Sequence, residues 1–295
     1  MIRDRLAFAI CTVVLLVAPT WAADRTLALE GYCPVSLITT GILVKGNAEF
    51  SSTYDSRIYL FQSAEKKKMF DANQTAYVPA LGGNCVVCKV EEGRIVPGKA
   101  AFHVVHDARL YLFRSAKEQK MFQAEPEKYA DADLALGGNC PVSLRSHNRV
   151  LPGKPDIVSI YDAHRYFFPS TGEKAVFGAS PSAFSPVLWG NCVVCKVEDH
   201  KDVPGIPDHH LWHGHRMYVF SSAEHKKLFM SDPAKYSSAD IAFNGHCPVF
   251  KAEKGMDLKG KDKFTVDYLG RRYRFSSWKR REQFLADPDK YALKE

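Results

Sequence analysis

Five cysteines, Cys33, Cys85, Cys140, Cys192 and Cys247, stand 52, 55, 52 and 55 residues apart, and their surroundings repeat with them. A chain that is self-similar at this period folds as a string of like units rather than around one large core. A glycine lies two residues before each cysteine (Gly31, Gly83, Gly138, Gly190, Gly245), and a valine lies two after it (Val35, Val87, Val142, Val194, Val249). Thirteen residues on comes Gly46, Gly98, Gly153, Gly205 or Gly260. Twenty-six on comes Tyr59, Tyr111, Tyr166, Tyr218 or Tyr273, followed after one residue by Phe61, Phe113, Phe168, Phe220 or Phe275. These offsets do not vary, so all variation in length falls between units. The modules run 27–79, 80–133, 134–186, 187–240 and 241–295. The 107-residue superperiod predicts unlike pairs, one with two and three with four, with module five left over.

Within a module, apolar residues alternate with polar ones at Phe50, Ser52 and Tyr54 or at Phe264, Val266 and Tyr268, and a short turn leads to Tyr-x-Phe. That periodicity predicts a two-stranded hairpin with one buried face. A serine follows at Ser63, Ser115, Ser170, Ser222 or Ser277, and Ser115 with Glu118 and Ser170 with Glu173 have capping-box spacing. A helix therefore starts there and carries Phe70, Phe122, Phe177, Phe229 or Phe284 onto the hairpin. Prolines 126, 181, 233 and 288 open a second short turn, whose aromatic (Tyr77, Tyr129, Phe184, Tyr236, Tyr291) closes the core. The expected fold class is α+β, a tandem array of five small modules, each a β-hairpin packed on a helix. A unit this short buries only about 60% of the surface its unfolded chain exposes, so it needs neighbours or staples.

The first 23 residues have a basic start (Arg3, Arg5), an apolar run from Leu6 to Ala18 and a small-residue exit at Thr20, Trp21 and Ala22. That order predicts a secretory signal cleaved after Ala22 or Ala23. The run is shorter than the roughly 20 residues a spanning helix needs. The expected location is outside the cytoplasm, periplasmic or extracellular, with no transmembrane segment in the mature chain. Net charge is +7, but Lys and Arg are interspersed with Asp and Glu throughout, which argues against a nucleic-acid groove and leaves a metal ion or a protein as the expected partner. Seven of the eight cysteines follow the signal segment, and an odd number cannot all pair within one chain.

Gly-x-Cys, Tyr-x-Phe-x-Ser, the helix phenylalanine and a closing Asp-Pro-x-Lys-Tyr together resemble the YHS domain, a relative of the metal-binding TRASH modules. Module five matches best, with Tyr273-Arg274-Phe275-Ser276-Ser277 and Asp287-Pro288-Asp289-Lys290-Tyr291. The resemblance implies the fold. In metal-binding relatives one cysteine follows the Phe and another comes four residues later. Here those places hold Gln62 and Lys66, Arg114 and Glu118, Pro169 and Glu173, Ser221 and His225, and Ser276 and Arg280. The ligands of the family are therefore expected to be missing from all five copies, and the resemblance does not carry an activity with it.

Modules two and four differ from the rest together. Each has a Cys-x-x-Cys pair, Cys85 with Cys88 and Cys192 with Cys195, and each has two histidines at matching places, His103 with His106 and His210 with His213. Two thiolates and two imidazoles are the donors that zinc or copper(I) prefers, so these eight residues are the expected metal ligands, one ion per even module. Strand geometry opposes the full set, because residues three apart on a strand face opposite sides unless a bulge intervenes. A structural disulfide or plain buried thiols fit the same cysteines. A thiol-disulfide redox role also fits, but such pairs sit at helix N-termini, and the pattern here predicts a loop or strand. Attachment of c-type haem needs a histidine where Lys89 and Lys196 stand. The run His209, His210, Trp212, His213 and His215 after Asp208 reads as an exposed hairpin or as extra donors. No phosphate loop or nucleophile elbow occurs, and no acid, base and nucleophile recur together, so the expectation is a non-enzymatic binding protein, with a redox protein or a ligand-free partner-binding array as alternatives.

Overall fold

The computed structural model describes residues 27–293. The expected signal segment, with Cys11 inside it, lies outside the described residues. Among those residues five antiparallel two-stranded hairpins each pack on helices, and the expected α+β module is present five times.

Every module opens on a left-handed turn, such as Leu81-Gly82 or Leu188-Trp189, and then reaches its cysteine. The cysteine begins a helix: Pro34–Thr40, Val86–Glu92, Pro141–His147, Val193–Glu198 or Pro248–Lys254. This corrects the loop or strand expected around Cys-x-x-Cys. The β-branched run Val-Val-Cys-Lys-Val favours a strand by local preference, but in module two capping overrides it, and module four forms the same helix without a side-chain cap. Sγ of Cys33, Cys85 and Cys140 accepts the backbone N–H three residues on, at 3.4–3.5 Å. A proline pre-set for the first helical position follows the cysteine in modules one, three and five. Left-handed residues, Gly41, Gly93, Asn148 and Gly255, end four of the five helices.

The chain then doubles back beneath the hairpin. In module two Gly98 donates its N–H to Gly83 O at 2.9 Å, and a Cβ on Gly98 would lie 2.7 Å from the Leu112 carbonyl carbon. Only hydrogen fits there, which accounts for the glycine thirteen residues after each cysteine. The first strands, including Lys99–His106 and Ile206–His213, pair with Arg109–Phe113 and Arg216–Phe220, each with a shift of register near its start. The expected serine caps begin helices Ala64–Ala72, Ala116–Ala124, Thr171–Ala179, Ala223–Ser231 and Trp278–Ala286. The helix phenylalanine gathers the other rings. Phe122 lies 4.6 Å from Tyr111, 5.2 Å from Phe113 and 6.3 Å from Tyr129, modules one, three and four repeat the cluster, and in module five Phe284 meets Tyr273 and Phe275.

The cores follow the predicted pairing. Leu110 and Leu112 of module two join the core of module one, Met217 and Val219 of module four join that of module three, and the core of module five is its own, while Ile160 of module three also packs against the first core. Polar links cross the pair boundaries. Buried Asp133 binds Arg109 in module two and Arg165 in module three, and Asp240, 107 residues on, binds Arg216 and Arg272 in the same way. The hairpin tips of the odd modules also meet. Asp55 accepts the N–H groups of Asp162 and Ala163 at 2.8 and 2.7 Å, and Asp162 accepts those of Leu269 and Gly270 at 2.5 and 2.7 Å. Among the described residues no helix is long and apolar enough to cross a membrane.

Candidate metal centre

In each module two helix starts converge: the turn opened by the cysteine, and the turn that follows Tyr-x-Phe. What they carry differs between copies. In module four they bring together Cys192, Cys195 and His225, with Ser221 beside them. His225 Nδ1 lies 3.5 Å from Cys192 Sγ, 3.4 Å from Cys195 Sγ and 2.9 Å from Ser221 Oγ, and Ser221 Oγ lies 3.3 Å from Cys195 Sγ. The cap fixes the helix start that carries His225, because the backbone N–H of His225 donates to Ser222 Oγ at 3.2 Å. Both thiols are buried, while His225 and Ser221 are half-exposed, so the group opens to solvent on one side.

The two thiols are electrostatically unlike. Burial works against ionising Cys192, but the N–H groups of Cys195 and Ser221, the Ser221 hydroxyl and His225 outweigh it and bring this thiol below its ordinary value. Cys195 is held up, chiefly by burial and then by Cys192. One thiolate is thus favoured and the second disfavoured until something positive shares the site.

Module two has the same cysteine knuckle with different neighbours. Glu118 stands where module four has His225, and Arg114 stands where it has Ser221. Arg114 binds Glu118 at 2.7 Å and Glu92 at 3.1 Å, and Ser115 donates to Glu118 at 2.5 Å. Cys88, Glu92 and Glu118 lie close enough to share an ion, but their carboxylates are already neutralised by the guanidinium. Burial, reinforced by Cys85, pushes the Cys88 thiol up to about 12. The Cys88 thiol sits as a buried, protonated group.

The four expected histidine ligands are elsewhere. His103 and His210 stand at the register shift and bind their own strands, Nδ1 to Ala100 O at 2.9 Å and to Pro207 O at 2.7 Å. Thr265, at the same place in module five, binds Asp262 O at 2.7 Å, so in three of the five modules this side chain caps the bulge. His106 and His213 pack edge-on against Phe122 and Phe229, with centroids 5.8 and 5.5 Å apart. Among the described residues no metal-capable group joins any of these four to the cysteines. The bulge exists, but it turns the side chains of His103 and His210 onto the backbone. Of the eight residues expected to bind metal, Cys192 and Cys195 gain a third donor, and that donor is His225. It stood out in the sequence: five residues after the Phe of Tyr-x-Phe the copies have Lys66, Glu118, Glu173, His225 and Arg280, and only the fourth offers an imidazole. All seven described cysteines are unbridged.

Compared with known proteins, the chain matches no family model, no curated protein and no solved structure.

Proposed function

We propose that this chain is an exported, non-enzymatic binding protein built from modules related to the YHS fold, and that module four holds one zinc or copper(I) ion on Cys192, Cys195 and His225. The observation that carries this reading is the spacing of the donors. Zn–S and Zn–N bonds of about 2.3 and 2.0–2.1 Å give a tetrahedral N···S edge of about 3.5 Å. The two N···S distances here are 3.5 and 3.4 Å. A bound cation would also favour the second thiolate, which the apo-site resists, and would tie two helix starts of a marginally stable unit together. The hydroxyl of Ser221 marks the fourth vertex. A serine hydroxyl is outside the usual Cys, His and carboxylate donor set, so this vertex is the place for water or an incoming donor. The reading gives one ion per chain rather than the two expected from sequence.

Elemental analysis of the purified, reduced protein tests it. One equivalent of zinc or copper per chain is expected, lost in His225→Ala and Cys195→Ser and kept in the double variant Cys85→Ser, Cys88→Ser. Retention of metal by His225→Ala would end this assignment.

A second reading is favoured by one observation, the lowered Cys192 thiol at the start of a helix. A thiol-disulfide redox protein would use Cys192 as its attacking sulfur. Insulin reduction that depends on Cys192 and persists in His225→Ala would support that role over metal binding.

A further inference from the structure

Where modules two, three, four and five meet lies a cleft of about 810 Å3, whose wall includes Lys89, His164 and Trp189. Lys89 differs from its counterparts. Lys196 and Lys251, at the same place in modules four and five, each bind the aspartate six residues on, Asp202 at 2.9 Å and Asp257 at 3.0 Å. In module two that sixth residue is Ile95. Lys89 instead turns inward, with Nζ 2.6 Å from Ala132 O and 2.7 Å from His164 Nε2.

Both partners are acceptors. His164 Nδ1 lies 3.1 Å from Asp162 O, and a carbonyl only accepts, so Nδ1 carries the ring proton and Nε2 presents a lone pair. Burial, and then the neighbouring Lys89, hold His164 well below its ordinary value, so it stays neutral. Its ring is fixed by stacking on Trp189 at 4.3 Å, and the Trp189 indole N–H donates to the Asp162 carboxylate at 2.7 Å. A neutral amine has two hydrogens and one lone pair. The two hydrogens match the two acceptors, and the lone pair is left free. Charged groups facing Lys89 are Asp133, Asp162 and Asp202, none of them in an ion pair with it. Burial dominates over these three and brings the amine down to about 8.

We propose that Lys89 is the reactive amine of a covalent binding site that captures short-chain aliphatic aldehydes as imines in this cleft. The Nζ lone pair adds to the carbonyl carbon, the C=O π pair moves to oxygen, and the oxygen takes up a proton. The resulting carbinolamine forms the C=N bond as the former carbonyl oxygen leaves in water, with no net oxidation or reduction. His164 Nε2 accepts a hydrogen bond from Nζ and so orients its lone pair, and the proton that Nζ sheds on addition passes to the carbinolamine oxygen. Leu134, Leu136, Leu188 and Val90 supply apolar wall for the alkyl chain.

The test uses the full chain with butanal and sodium cyanoborohydride, and the modified lysines are mapped by peptide mass spectrometry from pH 6 to 10. Lys89 is expected to react about tenfold or more faster than Lys196 and Lys251 at pH 7.5, with a midpoint near 8. Its rate should saturate with butanal concentration and lose the advantage in denaturant. Lys89→Arg should remove this one adduct. Because the rates are read on the unmodified sequence, the result does not depend on how any variant folds. A Lys89 rate no faster than its two counterparts, a midpoint in the ordinary lysine range, or a rate linear in butanal would each overturn the proposal.

Discussion

At Cys88 and Cys195 the same residue in the same helix turn meets opposite company. A guanidinium locked to two carboxylates stands over Cys88, whereas a serine and a histidine stand over Cys195. Thiol reactivity follows thiolate fraction, so metal-free protein should show it. With iodoacetamide at pH 7.5, Cys192 is expected to be alkylated at least about tenfold faster than Cys88, since one thiol is lowered and the other raised. Equal rates would mean that access alone governs both. Half of the site was legible in the sequence: Cys-x-x-Cys announces itself, and its recurrence pointed to modules two and four. The third donor was missed, although its place stood out among the copies, because donor spacing was read along the hairpin, where His103 and His210 are spent on a bulge. The true neighbour comes thirty residues after Cys195, from the start of another helix.

Helix starts are where these modules keep their chemistry, so caps matter beyond stability. Ser222 accepts the N–H of His225, and Ser222→Ala should cost about 1 kcal/mol of stability and weaken metal binding in the same variant. Urea unfolding and a competitive chelator titration would read the two effects, and unchanged metal affinity would separate the cap from the ligand. The glycine thirteen after each cysteine is equally constrained. A Cβ on Gly205 would lie 2.7 Å from Gly190 O and 2.8 Å from the Val219 carbonyl carbon, so Gly205→Ala should destabilise by about 1–3 kcal/mol, measured as a fall in the urea midpoint. At this scale hairpins, serine-capped helices and closing turns were all legible, since each rests on a local periodicity or cap. The cysteine-led helix was not, because its valines argue for a strand and its cap is a sulfur, outside the usual Ser, Thr, Asp and Asn set.

Across the whole molecule the 107-residue superperiod marks shared cores, with module two lending leucines to one and module four lending Met217 and Val219 to three. The contacts that bind the pairs together could not be read from spacing, because Asp55, Asp162, Asp133 and Asp240 look like ordinary surface acids until the array closes over them. Burial pushes Asp162 up to about 7, with the nearby Asp55 carboxylate adding to it against the hydrogen bonds it accepts. A carboxyl whose folded value is raised holds its proton longer in the native state. Its stabilising contribution is therefore complete below about pH 3.8 and is lost as pH rises through about 7. Urea midpoints of the wild type should fall between pH 5 and 8 relative to Asp162→Asn, and parallel curves would refute the shift. The same tips govern how such a chain can lengthen. Each odd tip hands a carboxylate to the tip two modules on, until Leu269 offers hydrocarbon instead. Duplicating a single module would set an even hairpin, tipped Asp107-Ala108 or Gly214-His215, into that line and break its phase. Growth by twos would preserve it, provided that the old terminal leucine gave way to an acid.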